Sequence, residues 1–129
     1  SGSNAEIAVG RLAQQHGRSR QTIEFGRTLE RDHSAARAAA LDTARRMGIR
    51  LRPDQVKPEG QQTQQRLSRL SGARFDHEFA TAMVADHRKD IAKFEDQRRS
   101  GDRDTSRYAA DTLPHLRHHL DMARQLQRR

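Results

Sequence analysis

The sequence predicts an all-α protein, an antiparallel four-helix bundle whose second and third long helices are joined by a long connection carrying a short extra helix. Three observations predict it. The 129 residues include 17 Ala, 10 Leu and 22 Arg, all good helix formers, but only seven Val plus Ile, too few to furnish a sheet. Apolar residues recur with a 3.6-residue period over long windows. Proline occurs only at 53, 58 and 114, and Gly or Ser-Gly separates the periodic windows. The length points to one domain over 1–129.

The first helix is expected over about 4–16, with Ile7, Val9, Leu12 and Ala13 on its apolar side, Asn4 as cap and Gly17 as stop. The second runs over about 19–47, from a Ser19 cap to Gly48 just past its end. Its stripe is Thr22, Phe25, Leu29, His33, Ala36, Ala40, Ala44 and Met47. Residues 48–58 read as a loop, with Ile49 and Leu51 tucked against the helices and Pro53 and Pro58 blocking further helix. A short helix follows over about 59–71, ending with Leu67 and Leu70, and Ser71-Gly72 interrupts it. The third long helix covers about 73–99, with the stripe Phe75, Phe79, Met83, His87, Ile91 and Phe94 and with Val84 beside it. The fourth covers about 104–127 from an Asp104 cap. Its stripe is Tyr108, Thr112, Leu116, His119, Ala123 and Leu126, flanked by Leu113 and Leu120. Pro114 lies inside it, removes one hydrogen bond and is expected to kink it.

Composition narrows the function. There is no cysteine, which excludes a disulfide framework, a thiol nucleophile and cysteine-ligated zinc or iron–sulfur sites. No run approaches the ~20 apolar residues of a membrane span. Leu, Ile, Val and Phe total only 21 residues and the net charge is +8, a balance close to that of disordered chains. Ala filling the gaps between apolar stripes moves the chain away from that class. The arginines run from Arg11 to Arg129 with acids interleaved, the pattern of a solvated helical surface, and stacking aromatics are scarce. Nucleic acid is therefore not the expected partner. No Ser-His-Asp order or phosphate-cradling glycine loop is present.

Each long helix carries one histidine on its apolar stripe, His33, His87 and His119, and the first helix carries Glu6 near its own. Counted from the turn near 17–18, Glu6 and His33 differ in depth by ~6 Å, and counted from the turn near 101–102, His87 and His119 differ by ~4–5 Å. His33 and His87 sit near the middle of their helices, so all four side chains can share one level. Imidazoles with a carboxylate suit zinc, iron, manganese or copper. Residues 23–38 and 77–92 also match at a constant offset of 54, through Glu24/Glu78, Phe25/Phe79, Asp32/Asp86, His33/His87 and Ala38/Ala92. The paired Asp-His places an inward histidine next to an acid that is either a ligand or an acceptor for an imidazole N–H. The candidate set is Glu6, Asp32, His33, Asp86, His87 and His119. A metal-free buried polar network is the alternative reading of the same residues. A third is an arginine-rich surface that binds anions. The di-iron pattern of Glu on two helices and Glu-x-x-His on two others is met only once, by Glu30-x-x-His33. His115 and His119 are spaced to chelate a metal at the surface, His118 points elsewhere, and His16 and His77 read as exposed.

The stretches AEIAVGRLA (5–13), FGRTLERDHSAA (25–36), LSRLSGARFDHEFATAMVADHRKDIAKFE (67–95) and TLPHLRHHLDMA (112–123) resemble the bacterial family known as domain of unknown function 4142. The resemblance covers nearly the whole chain. It implies a ferritin-like bundle exported to the periplasm or outer membrane. It carries the family's recurrent polar positions onto Glu6, Asp32, His33, Asp86, His87 and His119. It also implies that a signal peptide and part of the first helix precede Ser1 in the full protein. A divalent metal ion and a second copy of the chain are the partners compatible with this reading.

Overall fold

The computed structural model describes residues 3–50 and 58–128, with side chains over 4–50 and 60–128. Among the described residues there are five helices and no strand, so the chain is all-α as its composition requires. The helices are α1 (Ser3–His16), α2 (Arg20–Arg46), α3 (Pro58–Ser68), α4 (Gly72–Ser100) and α5 (Arg103–Gln127). Contacts divide the chain into two compact units, one ending at Asp76 and the other running from His77 to Arg129.

In the first unit α1 and α2 form an antiparallel hairpin. Ser19 caps α2: its Oγ accepts from Thr22 N at 3.0 Å and donates to Thr22 Oγ1 at 2.8 Å. The helix already includes Ser3, so Asn4 lies in the first turn of α1 and is not its cap. Gly10 and Gly26 let the two helix backbones touch. A Cβ at Gly10 would stand 2.7 Å from Gly26 O, and one at Gly26 would stand 2.6 Å from Gly10 O. Glycine inside a helix costs about 0.5–1 kcal/mol relative to Ala. Here that cost is offset by a close crossing that covers Ala13 and Leu29, both fully buried. Glu30 joins the same seam by accepting from Arg11 Nε at 2.6 Å and Gln14 Nε2 at 2.8 Å. Those bonds, Arg11 first, hold its carboxyl below the usual range.

The α1–α2 turn is clamped to the α3–α4 junction. Both oxygens of Asp76 accept backbone amides, from Arg18 at 2.9 Å and from Ser19 at 2.8 Å. His16 Nδ1 donates to Leu70 O at 2.7 Å, its ring lies 5.8 Å from that of Phe75, and Gly17 and Gly72 pair as an isolated bridge. Gly72 has φ +65°, the left-handed region that favours glycine. α3 therefore ends at Ser68, earlier than expected, and Leu70 and Ser71 belong to this junction. His16, expected to be exposed, is half-buried because it supplies one of the clamp's bonds.

The stripe of α2 is buried only part of the way. Thr22, Phe25 and Leu29 are buried and His33 is half-buried. Ala36, Ala40 and Met47 are exposed, and beyond His33 only Ala44 is buried. α1 has 14 residues against 27 in α2, ~21 Å against ~40 Å, and its first turn runs out beside Ser34–Leu41. Ile49 is half-exposed and not tucked in; Leu51 lies outside the described residues.

In the second unit α4 and α5 are antiparallel. Ser106 Oγ donates to Arg98 O at 2.7 Å, Phe94 faces Tyr108 at 6.0 Å, and His87 faces His119 at 5.7 Å. The cap of α5 is Asp102, not Asp104. Its Oδ1 accepts from Thr105 N at 2.8 Å, which holds the carboxyl below its usual range. The buried face is Ala109, Leu113, Leu116, His119, Leu120 and Ala123, whereas Tyr108 is 62% exposed. α5 runs unbroken through Pro114, which supplies no N–H to the carbonyl of Ala110.

Candidate metal centre

His87 and His119 are brought together by the antiparallel pairing of α4 and α5. Both are buried and their rings meet edge to face. The Nδ1 of His87 lies 2.8 Å from Met83 O. A carbonyl only accepts, so Nδ1 carries the proton and the ring's lone pair is on Nε2. Burial, joined by the charge of His119 and opposed by the bond to Met83, lowers the His87 pKa to about 4. His87 is therefore neutral at pH 7 with a fixed tautomer, the form in which imidazole binds a metal.

Asp86, the neighbour of His87, is half-buried. Burial and the nearby charge of Asp90 raise its carboxyl above the usual range, with Lys89 opposing. His118 is exposed, with its ring 6.3 Å from His119, and His115 is exposed too. His115 and buried His119 therefore do not form the surface chelate their spacing suggested. His77 is exposed, as expected.

In the first unit, α1 holds Glu6 buried and α2 holds Asp32 and His33 half-buried. His33 follows Phe25 and Leu29 on the buried stripe, which puts it at the limit of the covered part of α2. The matched segments 23–38 and 77–92 thus share a local layout: a buried Phe, then a half-buried Asp followed by the histidine. His16, Leu70 and Asp76 are the polar contacts that sequence reasoning missed. The signal was the run LSGARFD (70–76), whose Gly, Phe and Asp are each used by the clamp.

The family model for a domain of unknown function (DUF4142) matches residues 1–126. The chain belongs to the DUF4142 family. No curated protein and no solved structure matches it. DUF4142 as a description supplies no reaction, so any activity must be read from the residues themselves. In this DUF4142 chain no described helix is long and apolar enough to cross a membrane.

Proposed function

We propose that this protein binds a divalent transition metal, zinc, iron or manganese, through His33, His87 and His119. The observation that carries the reading is that His87 and His119 are both buried and face each other with ring centroids 5.7 Å apart. The fixed tautomer of His87 supports it, because the lone pair is presented without a proton to displace. The role of Glu6, Asp32 and Asp86 in this reading is to complete the coordination or to accept imidazole N–H groups.

The same reading takes the molecule as a ferritin-like bundle of the bacterial cell envelope. It is supported by the order of the elements, a hairpin, a long connection with α3 and a second hairpin, and by the resemblance of its motifs. Cell fractionation of the full-length protein tests the location, and recovery in the cytosol would refute it.

The metal is tested by loading the purified chain separately with zinc, iron and manganese and measuring bound metal after desalting. About one ion per chain is expected, lost in His87→Ala and His119→Ala and reduced in His33→Ala. No retained metal with any ion would overturn the reading and leave a metal-free histidine network. That network is distinguished by the instability of His33→Ala in metal-free buffer.

A further inference from the structure

The α4–α5 hairpin carries a cluster of charge that the histidines do not use. Glu95, Arg98 and Arg99 of α4 and Arg117 of α5 line an open groove of about 510 Å³, and all four residues of its wall are charged. Both helices lie in one compact unit. Arg117 Nη2 donates to Glu95 Oε1 at 3.0 Å, a bond across the two helices that engages the one carboxylate of the wall. Arg98 has no acidic partner among the described residues. Arg99 meets Asp96, which is not part of the wall, only at 3.9 Å, with the two side chains 71% and 75% exposed, so that pair holds Arg99 weakly.

Arginines in the last turn of a helix ordinarily serve its terminal carbonyls. Here those carbonyls have other donors. Ser100 Oγ donates to Asp96 O at 2.7 Å, the Gly101 amide to Gln97 O at 2.8 Å, and Ser106 Oγ to Arg98 O at 2.7 Å. Elsewhere surface arginines are matched by an acid one turn away, as Arg20 is by Glu24 and Arg46 by Asp42. The acid one turn from Arg98 is Glu95, which is already bonded to Arg117. The backbone and the neighbouring acids therefore leave the Arg98 guanidinium available to a ligand.

We propose that this groove binds a small phosphorylated polar molecule, with its phosphomonoester on Arg98, Arg99 and Arg117. Three guanidiniums against one carboxylate leave a formal +2 on the wall, which suits a phosphomonoester dianion and exceeds what a carboxylate needs. A guanidinium fork bonds two oxygens of a phosphate at once, and forks from both helices approach it from two directions. A phosphate alone fills a small part of the groove, and the wall offers no apolar side chain, so the rest of the ligand is a polyol or sugar. Glu95 is the acceptor the wall presents to its hydroxyls.

The test is titration of the isotope-labelled whole chain with inorganic phosphate, glycerol phosphate, glycerol and acetate, followed in proton–nitrogen correlation spectra. Both phosphates are expected to shift the Nε–H signals of Arg98 and Arg117, with glycerol phosphate the tighter; glycerol and acetate are expected to shift neither. Arg98→Gln should weaken phosphate binding about tenfold, the loss of a charged hydrogen-bonding partner. Arg98→Gln with Arg117→Gln should abolish it. Glu95→Gln should tighten inorganic phosphate about fivefold, because it removes a like charge from the wall. The control Arg27→Gln with Arg74→Gln changes two exposed arginines of the other unit and should bind as the parent does. The backbone signals check that every variant stays folded. No shift with either phosphate, equal weakening in the control, or phosphate binding that survives Arg98→Gln with Arg117→Gln would overturn the proposal. So would acetate binding as tightly as phosphate, or glycerol phosphate binding no tighter than inorganic phosphate.

Discussion

From Arg20 to His33, α2 is capped by Ser19, crossed by α1 at Gly26 and covered along Thr22, Phe25 and Leu29; from Ser34 to Arg46 only Ala44 is buried. The apolar spacing is the same in both halves. What differs is the neighbour. In the first half α1 approaches to backbone contact, and the Asp76 clamp fixes the turn at the hairpin's end. In the second half the described part of α1 reaches only as far as a groove beside Ser34–Leu41. Periodicity states which face of a helix could be covered, and the length of the next helix decides how much of it is. The second unit repeats the contrast along α4, where Phe79, Met83, Val84 and His87 are buried but Ile91 and Phe94 only half so.

The comparison breaks most directly at Phe25. Phe25→Ala should cost about 3–5 kcal/mol by chemical denaturation, while Met47→Ala, on the same stripe, should stay within about 0.5 kcal/mol. Similar costs at the two sites would mean that the far half is covered in solution.

The next largest effect is a pH dependence at His87. Its pKa is about 4 when folded and near the ordinary 6.5 when unfolded. Above pH 6.5 both states are neutral and it adds no slope. Below that the unfolded chain takes up a proton that the folded chain refuses, so stability falls as pH falls from 6.5 to 4. The loss totals about 3 kcal/mol. Asp86 acts in the opposite sense, because a raised carboxyl pKa favours the folded state as pH falls. Urea titrations at pH 7, 5 and 4 on the parent and His87→Gln should show the acid loss shrinking in the variant; parallel curves would refute the assignment.

Gly26→Ala sharpens the comparison at the crossing. The added Cβ meets Gly10 O at 2.6 Å and Ala13 Cβ at 2.7 Å, so a cost of about 1–3 kcal/mol is expected despite the gain in helix propensity. Gly48→Ala, at φ +71° with nothing within 4 Å, should cost about 1–2 kcal/mol from its backbone conformation alone. Restoring glycine at 26 against a Gly10→Ala background should not recover stability, because either methyl blocks the same approach.

The smallest effect separates the two candidate caps of α5. Asp102→Ala should cost about 1 kcal/mol and Asp104→Ala a few tenths, read as a shift in thermal midpoint.

The all-α class and the helix cores were legible because Ala, Leu and Arg carry them and Gly17, Gly48 and Gly101 punctuate them. Ser19 was readable as a cap because a Ser before a periodic run has one common use. Asp102 was not, since Asp104 two residues on has the same chemistry and only backbone geometry separates them. The Gly10–Gly26 crossing was hidden because a helical glycine shows its cost in sequence and its compensation only in space. Tyr108 went to the wrong face because Ala109, a small residue beside a large one, is the buried member of that pair. For the candidate centre, the stripe positions of His87 and His119 sufficed to predict their pairing. The bond that fixes the His87 tautomer was not foreseen, because it needs the ring to fold back on the carbonyl of Met83.

The Asp76 clamp has a consequence for how the chain can change over time. It holds Ser19 across a sequence separation of 57 residues, so the chain between these two residues is closed into a loop by that contact. The entropy of such a closure grows only with the logarithm of loop length, and adding ten residues between Ile49 and Pro58 costs about 0.1–0.2 kcal/mol. In closure entropy alone, the clamp tolerates insertions between Ile49 and Pro58 at little cost, so variation in length there leaves the hairpin's end pinned.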